Sequence, residues 1–392
     1  MSDGDAAFVL TMATEVRNAL VAGGQSVTAA SVEQQVRALQ PVAPRGHLYD
    51  LTTQVLAELS GYSVLEPVMA DPLVTDVVIN GADSVWIDRG EGMVRTPFRF
   101  ADDDHLRDVV VRWAASVGRR LDQAQPFVDA GLKDGHRLHA VLPPLAPRIC
   151  VSLRLHRPQS FSLRDLEVAG SLGADGYQWL CALMAARCAF LITGGTGSGK
   201  TTVLSALLSE VPPTQRIVLV EDTPELFPQH PHVVSLVARH ANAEGMGAIG
   251  LEVLIRQALR MRPDRLVVGE ARGAELIDLL SALNTGHEGG CGTMHANSPA
   301  DVVARIVALC SRGGWSAQTS LAQLTAAIDA VVHVVREPDG SRRLSSIGVV
   351  VGDLGKPAEV VTAVQWSSDG RAHLGPGGER LLARLSHGQG VL

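Results

Sequence analysis

The eight residues Gly194-Gly195-Thr196-Gly197-Ser198-Gly199-Lys200-Thr201 constrain the fold more than any other stretch of this chain. They match G-x-x-x-x-G-K-[ST], a pattern that carries meaning only where a strand runs into it and a helix leaves it. Both are present. Ala189-Phe190-Leu191-Ile192-Thr193 is an unbroken run of strand length, and Thr202-Val203-Leu204-Ser205-Ala206-Leu207-Leu208 reads as a helix. The glycines let backbone N–H groups turn inward around phosphates, and the helix N-terminus adds its partial positive charge. Lys200 is placed to reach the β- and γ-phosphates of ATP and the Thr201 hydroxyl to ligate Mg²⁺, with Thr202 completing the set of candidate nucleotide-binding residues. Composition sharpens this reading. Of 34 Lys and Arg, only Lys133, Lys200 and Lys356 are lysines. A chain that uses arginine almost everywhere has kept lysine where a compact ammonium fits between phosphates and a planar guanidinium does not.

At 392 residues the chain is long enough for two or three domains and a large core. A net charge of −7 gives no global basic field for nucleic acid or anionic lipid. Cys150, Cys181, Cys188, Cys291 and Cys310 form no C-x-x-C pair, which fits a reducing cytosol better than a disulfide framework. No signal peptide is read at the start. The nearest approach to a membrane span, Trp179 to Thr193, is broken by Arg187 and reads as a buried helix followed by a strand. Membrane association is therefore expected to be peripheral, through a partner, with a cytoplasmic location.

Residues 1–60 carry apolar residues at helical spacing and read as a helical N-terminal extension. From 65 to 158 the pattern is α+β. Val74 to Asn80 and Ser84 to Asp88 are strand-like and joined by the turn signal Asn80-Gly81, while Asp102-Asp103-Asp104 opens a helix to about Val117. Residues 165–370 alternate strand and helix: strands at 189–193, 216–220 and 265–268, helices at 200–208, 251–260 and 274–283. That order implies a parallel sheet covered on both faces. Ser298-Pro299 reads as an N-cap with proline at the first helical position. Residues 331–335, 344–351 and 359–366 are late strands, and 371–392 read as a flexible tail.

Three polar groups follow the loop. Glu221 ends the apolar strand Arg216–Val220, and Glu270 follows Leu266-Val267-Val268-Gly269. Ligand-handling residues collect at the carboxyl ends of parallel strands. Glu221 and Glu270 can thus both face the γ-phosphate, one orienting the attacking water and the other holding Mg²⁺ through its water shell. The plainer alternative is that either glutamate caps the next helix. In Thr285–Pro299, His287, Cys291 and His295 stand four apart, a metal-site spacing on a helix, but the four glycines of this stretch disfavour a helix. A pair of loop histidines is the bland alternative. The favoured reading is a polar loop that bonds toward the phosphates and reports nucleotide state.

In this order and spacing, the phosphate loop, Glu221-Asp222-Thr223-Pro224-Glu225, Val268-Gly269-Glu270-Ala271-Arg272 and the box ending His295-Ala296-Asn297-Ser298-Pro299 resemble the type II/type IV secretion ATPase superfamily. With Asp134-Gly135-His136-Arg137-Leu138-His139-Ala140 upstream, the chain looks most like its tight-adherence (Tad) pilus branch, close to the conjugation ATPases. The resemblance spans about 65 to 335. It implies an α/β fold: a RecA-like P-loop ATPase domain, a smaller N-terminal α+β domain, and a homohexameric ring. It implies an ATP-hydrolysing motor, with Mg²⁺, that powers a pilus or secretion machine at the inner face of a membrane beside an inner-membrane platform protein. Within it Glu221 and Glu270 serve hydrolysis, His287 and His295 form the histidine pair, and Arg137, Arg148, Arg154 and Arg157 match arginines that the family brings to the phosphates. Each of these arginines is equally well read as a surface charge. Two departures stand out: Gly273 replaces a common acidic residue, with Glu275 following, and the four-cysteine module of some relatives is absent, so no zinc is expected. The rivals are a conjugation ATPase, although no basic, aromatic-interleaved stretch argues for direct nucleic-acid handling, and a nucleotide-gated scaffold with little hydrolysis.

Overall fold

A computed structural model describes residues 3–155, 161–239, 246–352, 358–367 and 370–387. The chain divides into two compact units, Met1–Arg157 and Pro158–Leu392.

The first unit opens with α1 (Asp3–Ala22), α2 (Ala29–Leu39) and α3 (Arg45–Ser60). Val9, Met12, Val16 and Leu20 recur along one face of α1 and meet Val32 and Val36 of α2 and Leu51 and Val55 of α3 in a core of their own. Thr28 caps α2 by accepting from the Ser31 N–H, and the Ser31 hydroxyl accepts in return from the Thr28 N–H. The short α4 (Glu66–Ala70) leads into β1 (Asp76–Asn80), β2 (Val85–Asp88), β3 (Met93–Arg95), α5 (Asp103–Ser116), β4 (Phe127–Gly131), β5 (Arg137–Val141) and β6 (Cys150–Arg154). The strands form an antiparallel sheet in the order β3-β2-β1-β6-β5-β4. Asp102 is the N-cap of α5, accepting from the His105 N–H at 2.7 Å. Leu106, Val110 and Trp113 of that helix enter the same core as Val77, Ile79 and Leu153 of the sheet.

The second unit runs α6 (Leu163–Val168), α7 (Gly176–Ala185), β7 (Phe190–Gly194), α8 (Lys200–Ser209), β8 (Ile217–Glu221), β9 (Val233–Val237), α9 (Leu251–Ala258), β10 (Arg265–Val268), α10 (Glu275–Leu283), β11 (Cys291–His295), α11 (Asp301–Arg312), α12 (Ala317–Ala327), β12 (Ala330–Arg336), β13 (Arg342–Val351), β14 (Glu359–Trp366), β15 (Ala372–Leu374) and α13 (Gly378–His387). Nine strands lie in the order β15-β14-β13-β12-β7-β11-β10-β8-β9. From β12 to β9 every neighbour is parallel, and from β12 to β15 every neighbour is antiparallel. Alternation along each central strand feeds two cores. Phe190, Ile192, Ile217 and Leu219 face one that holds residues of α7 and α8, and Leu191, Val218 and Val220 face another that holds residues of α10, α11 and α12. Burial on both faces is why these strands read as continuous apolar runs. Among the described residues no helix is long and apolar enough to cross a membrane.

Several expectations change here. The glycine-rich stretch read as a polar loop contains β11, whose residues Cys291 to Met294 are buried in the centre of the sheet. The helix expected from Ser298-Pro299 begins at Asp301. The Ser298 N–H and hydroxyl both donate to the Asp301 carboxylate, so the serine is held outside the helix by the residue that starts it. The stretch read as a flexible tail from 371 holds β15 and α13 as far as His387. Leu381 and Leu385 of α13 are buried in the core, and Arg384 forks onto the Asp329 carboxylate at 2.7 and 3.1 Å. Glycine and polar content there masked an amphipathic turn pattern only ten residues long. Leu381→Ala should therefore lower the unfolding free energy of this unit by about 2–4 kcal/mol, measured by urea titration. A change within about 0.5 kcal/mol, as for an exposed site, would restore the tail reading.

Candidate nucleotide-binding site

Because β7, β8, β10 and β11 run parallel, Gly194, Glu221, Glu270 and His295 fall along one edge of the sheet, the edge at which ligands bind in open α/β sheets. The phosphate loop begins with a close contact. A Cβ on Gly194 would stand 2.2 Å from the Val334 carbonyl oxygen of β12 and 2.5 Å from Ser198 Oγ, so only glycine fits. α8 starts at Lys200, behind Gly199 in the left-handed region. Lys200 Nζ donates to the Gly194 carbonyl at 3.1 Å and the Gly195 carbonyl at 2.8 Å. Burial pushes its pKa below the ordinary lysine value, and the nearby Glu270 and Glu225 carboxylates act in the opposite direction. Ser198 Oγ is buried and has no hydrogen-bond partner. Thr196 and Gly197 are exposed at the tip of the loop, Gly195 is half-buried, and Thr201 and Thr202 are half-buried in the first turn of α8.

The carboxylates are arranged unequally. Glu221, 2 % exposed, accepts through Oε1 from the Glu225 and Leu226 N–H groups at 2.9 and 3.0 Å, while Oε2 is buried without a partner. Burial pushes its pKa up to about 7, against the pull of those two backbone donors. Gly269 is required beside it, since a Cβ there would meet Glu221 Cγ at 2.8 Å. The turn that Glu221 anchors brings Glu225 to Thr201, whose Oγ1 donates to Glu225 Oε2 at 3.5 Å. Glu270 is half-buried and bonded by Arg272. Glu275 resolves the departure at Gly273: its carboxylate, 7 % exposed, accepts from the Arg272 and Gly273 N–H groups and fixes the turn after Glu270. Thr293 Oγ1 donates to the Gly269 carbonyl at 2.6 Å, tying β11 to the same turn.

The two histidines separate. His295 pairs with Gly194 at the loop edge. His287 lies before β11, at the opposite edge, where Arg265 at the start of β10 donates to the Gly289 carbonyl at 3.3 Å. Along a strand the spacing of His287, Cys291 and His295 does not converge on one point. Among the described residues no group of three or more His, Cys, Asp or Glu side chains is placed to hold a metal. The arginines of the first unit are each engaged within it: Arg137 on Asp129 at 3.0 Å, Arg148 on Asp83 at 2.7 Å and Asp103 at 3.3 Å, Arg154 on Asp76 at 3.5 Å. Arg157 lies outside the described residues.

Sequence reading missed the far wall of the loop. Arg342 Nε, on β13, donates to the Gly197 carbonyl at 2.9 Å, and its Cδ would lie 3.3 Å from a Cβ on Gly199. Arg336, its partner across β12 and β13, has Nη1 3.6 Å from a Cβ position on Gly197. Only pairing of the late strands with β7 reveals them. An unpartnered buried hydroxyl, a lysine bonded to the carbonyls of its own loop and two exposed arginines form a cationic, donor-rich cradle that suits a polyphosphate. The Thr201 hydroxyl beside Glu225 suits Mg²⁺ carried with it, since that ion takes only one or two protein oxygens besides phosphate and water.

This is the constellation of a phosphate-loop nucleotide-binding protein on a parallel sheet. The chain belongs to the type II/IV secretion system protein family, whose sequence profile matches residues 58–374. It is 50 % identical over 312 residues to Rv3659c of Mycobacterium tuberculosis (strain H37Rv), a protein named for conjugal transfer, with 76 % of this chain and 89 % of that one aligned. It is 30 % identical over 304 residues to VirB11 of Agrobacterium fabrum (69 % and 88 % aligned), and 30 % identical over 308 residues to the type IV secretion system protein PtlH of Bordetella pertussis (71 % and 91 %). The Legionella pneumophila ATPase DotB shares the fold, with a TM-score of 0.51 at 19 % identity over 73 % of this chain and 79 % of that one.

Glu221 supplies a test of this electrostatic picture. Its folded-state pKa near 7 lies above the ordinary 4.5, so keeping it ionised costs stability, a cost absent below pH 4.5 and fully present above pH 7. Glu221→Gln removes the titration. The stability of the variant relative to the parent should rise by on the order of 3 kcal/mol between pH 4.5 and pH 8 in nucleotide-free protein, measured by denaturant unfolding. A pH-independent difference would place the carboxyl in water instead.

Proposed function

We propose that the chain is an ATP-hydrolysing motor of a secretion, conjugation or pilus-assembly machine, working as a ring of identical copies at the cytoplasmic face of a membrane and docked there on a platform protein. The observation that carries this reading is the aligned edge of β7, β8, β10 and β11, which sets the Gly194–Thr201 loop, Glu221 and Glu270 side by side. In it, Gly194 to Lys200 cradle the phosphates, Lys200 leaves the Gly194 and Gly195 carbonyls for the β- and γ-phosphates, and Ser198 Oγ gains a partner. Thr201 and Glu270 hold Mg²⁺, which when bound neutralises charge on the phosphate oxygens. Glu221, with one oxygen unpartnered and a pKa pushed up to about 7 by burial, suits the task of orienting and deprotonating water. His295, next to Gly194, acts at the γ-phosphate side. His287, the other member of the histidine pair, lies at the other edge of the sheet, apart from the phosphates.

Three domain assignments accompany this reading: a helical extension over 1–60, an α+β domain over 65–158, and a RecA-like ATPase domain from 165 that now extends through α13. Arg137, Arg148, Arg154 and Arg157 are assigned to the phosphates of the assembled ring, where a polyphosphate would displace the carboxylates that now hold the first three. The Tad-type assignment and the conjugal one differ in machine rather than in chemistry, and the relatives named above favour the conjugal and type IV side.

Lys200→Ala should abolish ATP hydrolysis while leaving the circular dichroism spectrum unchanged. Glu270→Gln should keep nucleotide affinity and lower kcat by about a hundredfold. If the parent protein, assembled and supplied with Mg²⁺, turns over no faster than Glu270→Gln, it is a nucleotide-gated scaffold. A second expectation follows from the ring: specific activity rises with protein concentration alongside a sedimentation shift from monomer to hexamer, and Arg154→Ala lowers turnover more than affinity. A concentration-independent rate from a monomer would exclude the ring.

A further inference from the structure

One buried side chain joins the phosphate loop to the segment after His295. His333 lies in β12 directly across from Thr193 of β7 and is 3 % exposed. The pairing of β12 with β13 shifts register between His333 and Val334, the kind of irregularity that re-aims a side chain. His333 Nδ1 is 2.9 Å from Thr193 Oγ1, and the Asn297 backbone is the other polar group that faces the ring. Thr193 is the last residue before the loop, and Asn297 is two residues past His295. The Gly194 carbonyl is held from the same directions, by Lys200 Nζ at 3.1 Å and by the Ala296 N–H at 3.4 Å.

The charge state of the ring fits a tether. Burial pushes the His333 pKa down and Lys200 acts in the same direction, while the Asn297 backbone and Asp301 act against them. A neutral imidazole offers one donor and one acceptor, which is what a hydroxyl on one side and a backbone group on the other require. Beyond Asn297 the path is continuous. The Ser298 N–H and Oγ donate to Asp301 Oδ2 at 3.1 and 2.8 Å, and Asp301 begins α11.

We propose that His333 is a positioning residue that ties the phosphate loop to the His295–Asn297 segment, so that displacement of the loop by nucleotide is delivered to α11. The inference rests on the nucleotide-binding reading above. When Lys200 turns from the Gly194 carbonyl to a phosphate, that carbonyl keeps the Ala296 bond, and Thr193 keeps its bond to His333. Any shift of the loop then pulls both points on the segment leading to α11 rather than dissipating in a slack turn.

The test uses the full chain with His333→Leu, which removes the Thr193 bond and the polar contact with Asn297, Thr193→Val, which removes the first at nearly constant shape, and His333→Gln, which retains a donor and an acceptor. In nucleotide-free protein, amide exchange over 191–199 and 294–300 should quicken by about tenfold or more in the Leu and Val variants and stay near the parent rate in the Gln variant. With Mg²⁺–ATP, kcat should fall about ten- to a hundredfold in the Leu variant, with KM within about twofold, and recover in the Gln variant. Nucleotide-induced protection of 301–312 should be lost in the Leu variant alone of the His333 pair. Unchanged exchange in both the Leu and Val variants, or a Gln variant as impaired as Leu, would overturn the proposal. A parent protein that turns over no ATP counts against the motor reading, whereas the nucleotide-free exchange arm decides the tether by itself.

Discussion

The pairing of β7 in parallel with β11 on one side and β12 on the other is the constraint on which the site rests. Phe190, Leu191 and Ile192 are fully buried between the two apolar layers, each contributing about 1.5–3 kcal/mol by leaving water. That burial pins the strand so that its end, Gly194, meets the Val334 carbonyl at a distance no side chain tolerates. The loop therefore has a rigid floor and one fixed wall. Its conformation is imposed by neighbours more than by its own sequence, which is glycine-rich and by itself unrestrained.

That rigid frame carries electrostatic costs. Lys200 and Glu221 are both partly or wholly withdrawn from water, and burial shifts each toward its neutral form. Ser198 Oγ and Glu221 Oε2 lack partners. Such groups are destabilising in an empty site and gain most from a ligand that brings phosphate oxygens and a cation, because charge interactions strengthen where water is excluded. The supporting groups, by contrast, have partners: Glu275 accepts from two backbone N–H groups, Thr293 donates to Gly269, and His333 bonds Thr193. Unpartnered polar atoms are concentrated where a nucleotide would act, and the surrounding bonds hold them there.

The first unit shows a different economy of charge. Its arginines at 137, 148 and 154 each meet a carboxylate at distances from 2.7 to 3.5 Å, on side chains that are about one-third to two-thirds exposed. Pairs of this kind contribute little to stability in water.

By itself the sequence determined the phosphate loop, the strand before it and the helix after it, the two glutamates that end apolar strands, and membership of a parallel α/β class. These were legible because each rests on local chemistry: a fixed spacing of glycines and lysine, or a buried strand bounded by a carboxylate. Only tertiary structure decided the rest. It made a central strand of the glycine-rich Cys291–His295 stretch, because two apolar neighbours compensate for weak strand propensity. It sent His287 and His295 to opposite edges, and it folded the polar C-terminal stretch onto the core through Leu381 and Leu385. It also brought Arg336, Arg342 and His333 to a loop more than 130 residues earlier in the chain. No spacing in a sequence encodes such proximity, because it arises from strand order across a sheet, which the apolar burial of many residues settles together.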